Sequence, residues 1–154
     1  MNPYQELERL NIVLPSATTP VAAFVMATQT GNVVFVSGHI ARKDGKPLAG
    51  QFGRDLTVQE GQAAARGIAV DLLATLHGFL GDLNRVTRIL KLLCLVNSTP
   101  TFTEQHLVAN GCSEVLLAVF GERGRHARSA FGVAQIPLGA CIEIEMIVEV
   151  APAA

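Results

Sequence analysis

Charge is scarce in this sequence. Lys, Arg, Asp and Glu make up only 16% of its 154 residues, against 49% hydrophobic residues, a more apolar balance than a soluble monomer usually carries. Some of the surface is therefore expected to be covered by other subunits. The 12 Lys and Arg are matched by 13 Asp and Glu and are scattered, so no basic stripe is available to neutralise successive phosphates. A single tyrosine adds little for base stacking, and nucleic acid is not an expected partner. The three cysteines, Cys94, Cys112 and Cys141, form no C-x-x-C pair. Their odd number and spacing speak against both a disulfide framework and a metal site, and suit free thiols in a reducing cytoplasm. No uninterrupted apolar run approaches the roughly 20 residues of a membrane-spanning helix. The opening residues 1–9 are polar and acidic where a secretory signal would be basic and then apolar, so neither a membrane nor export is expected.

What is present fits one domain, since two independent units of half this length would each be marginal. Residues 1–20 read as a short helix over residues 4–10 followed by a Ser/Thr/Pro-rich connector, and 21–154 as the domain. Two β-branched runs, 24–28 and 33–37, flank Gln29-Thr30-Gly31-Asn32 and predict a hairpin. Lys43-Asp44-Gly45-Lys46-Pro47 predicts an exposed turn. Thr57-Val58-Gln59-Glu60 is a capping-box pattern, so a helix is expected to open at Thr57 and to pack Val58, Ala65, Ile68, Ala69, Leu72, Leu76, Phe79 and Leu80 on one face. Gly61 and Gly67 each weaken an isolated helix by about 1 kcal/mol relative to Ala and point to a close backbone approach. The nearly continuous apolar run 86–96 predicts a strand buried on both faces. A second capping-box pattern, Thr101-Phe102-Thr103-Glu104, predicts another helix with Val108, Cys112, Val115, Leu116 and Val119 as its stripe. Strands over 127–135 and 140–150 close the chain. The order β-β-α-β-α-β-β predicts an α+β sandwich with two helices on one face of a mixed sheet.

In the last strand Ile142, Ile144, Met146, Val148 and Val150 share one side and Glu143, Glu145, Ile147 and Glu149 the other. The apolar side is expected under the helices. The second face then needs a cover, for which identical subunits in a closed ring are the usual solution. Arg128 stands on the preceding strand in apolar surroundings. A guanidinium is costly to bury without a planar anionic partner, so either Glu143 or Glu145 neutralises it or a ligand carboxylate does. Among the histidines, His126 shares a strand side with Arg128, and His39 reads as a titratable or an interfacial group. His77 and His106 fall on helices as packing or surface residues.

Several segments together resemble the YjgF/RidA family, also labelled L-PSP endoribonuclease-like. They are Gly31-Asn32-Val33-Val34-Phe35-Val36-Ser37-Gly38-His39-Ile40, then Ala127-Arg128-Ser129, Ile136-Pro137 and Ile142-Glu143-Ile144-Glu145, in the family's order and spacing. The resemblance implies a chorismate-mutase-like fold assembled as a homotrimer around a central barrel, with clefts between subunits that take a small carboxylate-bearing molecule. It implies enamine/imine deaminase activity: hydrolysis of intermediates of the 2-aminoacrylate type to 2-keto acids and ammonia, without a cofactor. By position, Arg128 matches the arginine that holds the substrate carboxylate and Glu143 the residue that positions or activates water. Ser37 and Gly38 match the ligand-side turn, and Asn110 a cleft asparagine. Phe24 and Ala130 stand where the family commonly has a Tyr and a Cys, and His39 replaces a Gln. These departures mark a divergent branch and leave a second function open, a non-catalytic protein that binds 2-keto or imino acids. Endoribonuclease, implied by one family label, fits the charge balance least.

Overall fold

The computed structural model describes residues 1–17, 19–20 and 22–153; the expected domain start at Val21 falls outside them. Its elements in chain order are α1 (Pro3–Arg9), β1 (Ala27–Thr30), β2 (Val33–Ile40), the short pair β3 (Arg42–Lys43) and β4 (Lys46–Pro47), α2 (Val58–Leu80), β5 (Val86–Asn97), α3 (Gln105–Phe120), β6 (Ala127–Val133) and β7 (Ile142–Val150). Five strands form one sheet in the order β1-β2-β7-β5-β6. Only β5 and β6 run parallel, because α3 carries the chain back across the sheet between them, so the sheet is mixed and the fold is α+β.

Each hairpin follows from its turn residues. Thr30 pairs with Val33, leaving Gly31-Asn32 as a two-residue loop, and Gly31 takes the positive φ of +55° that this tight turn requires. Asp44 and Gly45 both have positive φ, +53° and +76°, between the paired β3 and β4.

The capping box at Thr57 is complete: Thr57 Oγ1 accepts from the Glu60 backbone N–H at 3.1 Å, and Glu60 Oε2 accepts from the Thr57 N–H at 2.8 Å. The second predicted box does not form. α3 opens at Gln105 with no side-chain cap. Phe102 packs against Phe52 with ring centroids 5.7 Å apart, and its N–H bonds the Thr99 carbonyl. That anchor holds residues 99–104 in a turn and delays the helix by one turn.

The helices lie close. A Cβ on Gly61 would come within 2.5 Å of the Phe52 ring, and one on Gly111 would run into the Gln62 carbonyl; both glycines let α2, α3 and the Phe52 loop approach. Gly67 meets nothing within 4 Å, so the close approach expected there is not found. Ile142, Ile144, Met146, Val148 and Val150 are all buried with Leu72, Leu76, Val108, Cys112 and Leu116 in one core. β7 is the middle strand of the sheet. Leu7 of α1 joins this core, and Tyr4 Oη bonds His77 Nδ1 and the Leu83 N–H. α2 has the length and hydropathy of a membrane span, but half of that stretch is buried in the fold.

Candidate functional site

Arg128 and Glu143 do not meet within one chain. Arg128 leaves β6 on the side of α3. Its Nη1 donates to Asn110 Oδ1 at 2.9 Å and to Ser113 Oγ at 3.1 Å, and its Nη2 to the His106 carbonyl at 3.1 Å. Glu143 alternates with the buried Ile142 and Ile144 and so leaves β7 on the opposite face. Glu143 pairs with Leu95, and Leu95 with Phe131. Arg128 is thus three residues along and two strands across from Glu143, roughly 10 Å in each direction. Among the described residues the ion pairs are Arg9–Glu6, Arg54–Asp55 and Arg125–Glu122. Neither Glu143 nor Glu145 of the same chain neutralises Arg128, so of the two alternatives the intrachain ion pair is not found.

Arg128 is consequently a cation held by neutral oxygens. All three acceptors are on α3, which fixes the guanidinium plane, while its Nε–H makes no bond among the described residues and is available to a planar anion. Asn110, a predicted cleft residue, acts here by holding Arg128. His126 sits beside it, with Nε2 2.9 Å from Ser113 Oγ and Nδ1 2.7 Å from the Gly124 carbonyl. Burial lowers the His126 pKa, and the neighbouring Arg128 charge lowers it further. Ser113, Leu117, Arg125, His126 and Arg128 line one shallow hollow. Ala130 points to the same side as Arg128 and packs against the core.

Glu143 lines a different place, a cavity of about 270 Å³ at the free edge of β2. β1 pairs with β2 only as far as Ala27–Val36, so residues 37–40 of β2 have a strand, β7, on one side only, and residues 22–26 run along the other edge, where the Ser37 N–H donates to the Met26 carbonyl. The register of β2 against β7 shifts between Val36 and His39. Gly38 lies in this bulge, and a Cβ there would stand 2.7 Å from Glu143 Oε2. The Glu143 carboxylate thus lies directly over the Gly38 backbone, and a side chain at position 38 would displace it. Burial raises the Glu143 pKa, and the Glu145 charge raises it further.

The other cavity walls come from Phe24, Met26, Ile40, Asp71 and Leu138, among others. Ser37 was expected among the ligand contacts. Its hydroxyl instead donates to the Val25 carbonyl at 2.7 Å, holding the covering segment in place without lining the cavity. His39 is 5% exposed, with Nδ1 2.6 Å from the Ser37 carbonyl and Nε2 2.7 Å from Thr75 Oγ1. Both ring nitrogens are engaged and burial lowers its pKa, so it is a satisfied structural histidine. Asp71 of α2 faces the cavity, and burial raises its pKa. Its signal in the sequence is a lone carboxylate inside the apolar run Ile68–Leu76. The three cysteines are buried and free; burial pushes Cys94 up to about 12 and Cys141 to about 11, so neither supplies a thiolate nucleophile. No cluster of metal-ligating side chains occurs among the described residues.

Known proteins resemble this chain in sequence and in fold. The profile of the family described as "YjgF/chorismate mutase-like, putative endoribonuclease" matches residues 7–150. Protein TCP17 of Trypanosoma cruzi is 50% identical over 145 residues, covering 93% of this chain and 91% of its own. A crystal structure from Agrobacterium tumefaciens, of a protein of unknown function, is 42% identical with a TM-score of 0.89, covering 97% of this chain and 92% of that one. RidA from an Antarctic Psychrobacter is 26% identical with a TM-score of 0.60 over 88% of this chain and 94% of its own. The chain belongs to the YjgF/chorismate mutase-like family. The drop in TM-score from 0.89 to 0.60 fits a branch set apart from RidA.

Proposed function

We propose that this protein is an enamine/imine deaminase whose site is assembled between copies of the chain, Arg128 from one and Glu143 from its neighbour. The observation that carries this reading is the state of Arg128, a guanidinium held in position by α3 with no anionic partner among the described residues. A small 2-imino or 2-enamino acid supplies the missing carboxylate. The half-buried Glu143 then faces the imine carbon and accepts a proton from water as the water oxygen bonds to that carbon. Glu143 passes that proton to the nitrogen and then takes the proton of the new hydroxyl as the C–N bond breaks, so that nitrogen leaves as ammonia and the 2-keto acid remains. An enamino acid reacts as its imine tautomer, after protonation at the β-carbon. A homotrimer with the outer sheet face turned inward brings the two residues together and covers Phe35 and Phe131, which are 45% and 47% exposed in the single chain.

Phe24 and Ala130 favour a second reading, a binding protein for the same acids without turnover, because neither offers a group that moves protons. The discriminating experiment measures ammonia release from 2-aminoacrylate formed in situ by a dehydratase, with wild type beside Arg128→Ala. Acceleration that is lost in the variant supports the deaminase. Ligand binding that depends on Arg128 without acceleration supports the binding protein.

A further inference from the structure

The cavity beside Glu143 is larger and more apolar than the smallest imino acids need. At roughly 30 Å³ per water in the liquid, its volume of about 270 Å³ leaves room for a side chain of several carbons beyond the reacting centre. Its charged groups are Glu143, Asp71 and Arg42, while Phe24, Met26, Ile40, Pro20 and Pro137 give it otherwise greasy walls.

Leu138 adds an observation of a different kind. It is a non-glycine residue in the left-handed region, at φ +62°, a conformation costly for a side chain branched beyond Cβ and usually kept only where it does something. It is 63% exposed, so no core packing accounts for it. What the strained turn achieves is to hold an isobutyl group at the cavity rim.

Resting on the deaminase reading for the orientation of the ligand, we infer that this cavity selects imino and enamino acids with a large apolar side chain, branched aliphatic or aromatic, with Leu138 closing over that side chain as a specificity residue. With the ligand carboxylate on Arg128 and its reacting carbon at Glu143, the side chain has the apolar walls as its destination. Each methylene buried there contributes about fourfold in affinity.

The test separates the side-chain preference from turnover. Dissociation constants of the keto-acid products pyruvate, 4-methyl-2-oxopentanoate and phenylpyruvate are measured by calorimetry. Turnover is measured on the imines of alanine, leucine and phenylalanine, formed in situ by an amino-acid oxidase. The two bulky keto acids are expected to bind at least tenfold more tightly than pyruvate. Leu138→Gly, which relaxes the backbone and so keeps the fold, is expected to cut that ratio at least fivefold, whereas Arg128→Ala weakens all three ligands. Equal binding of the three, no binding of any, or a ratio indifferent to Leu138→Gly overturns the inference. Preferential binding with no imine turnover upholds the ligand class and sinks the deaminase; turnover indifferent to side-chain size upholds the deaminase and sinks the inference.

Discussion

Arg128 and Glu143 are set up differently by their surroundings, and each yields its own prediction. The value of Arg128 lies in the planar fork fixed by Asn110, Ser113 and the His106 carbonyl. Arg128→Lys keeps the charge but loses the fork, so ligand affinity is expected to fall at least tenfold, about 1.4 kcal/mol or more, with little change in melting temperature. Titration calorimetry with a 2-keto acid beside a melting curve checks both. Glu143 has its pKa raised by burial and by Glu145. As a base it must be ionised, so the rate is expected to rise with pH through a value above the ordinary glutamate range. The same shift fixes the stability effect. A raised folded-state pKa gives stability that is full below the unfolded value and is lost as pH rises through the folded one. Glu143→Gln is therefore expected to raise the melting temperature at neutral pH while abolishing turnover, and to match wild type in melting temperature at pH values below the unfolded glutamate pKa. A variant less stable than wild type at neutral pH would contradict this assignment.

At the scale of elements, the two helices test the packing directly. Gly67 faces open space and Gly61 faces the Phe52 ring. Gly67→Ala is expected to stabilise the protein by about 0.5–1 kcal/mol, and Gly61→Ala to destabilise it by about 1–3 kcal/mol through overpacking; denaturant titration of both separates propensity from contact. Their contrast also shows what could be read from the sequence. Both glycines look alike in a helical pattern, and only the position of Phe52, brought in from a loop, distinguishes them. The Thr57 capping box was legible because its partners lie within one turn. The same pattern at Thr101 misleads because Phe102 is claimed by a ring distant in sequence. The alternation of β7 correctly gives the face of Glu143, but nothing local to β6 tells whether Arg128 turns to α3 or away. Neither Leu138 nor the lone carboxylate Asp71 could be assigned to a site from local pattern, since the cavity they line forms only where residues 22–26 lie along the edge of β2.

At the scale of the molecule, the outer sheet face is the unfinished part of a single chain. Phe35 and Phe131 stand exposed on it, with Leu93, Leu95 and Ile147 half-buried between them. A patch of this kind on an otherwise self-sufficient fold is expected to be an interface. Phe35→Asp, an exposed position with no buried partner to strand, is expected to yield a folded monomer by light scattering that has lost Arg128-dependent turnover. The charge balance carries a further expectation: with 12 cationic against 13 acidic side chains, RNA affinity is expected to be weak and no tighter at low salt than for other near-neutral proteins.

The most direct test of a site shared between copies is complementation. Arg128→Ala and Glu143→Gln are each prepared alone and then combined by co-expression, with ammonia release from an imino acid as the readout. Each variant alone is expected to be inactive. The mixed assembly is expected to recover about a quarter of wild-type activity, since random closed rings juxtapose an intact Arg128 with an intact Glu143 at about that fraction of clefts. Mixed assemblies as inactive as the single variants would contradict the shared site.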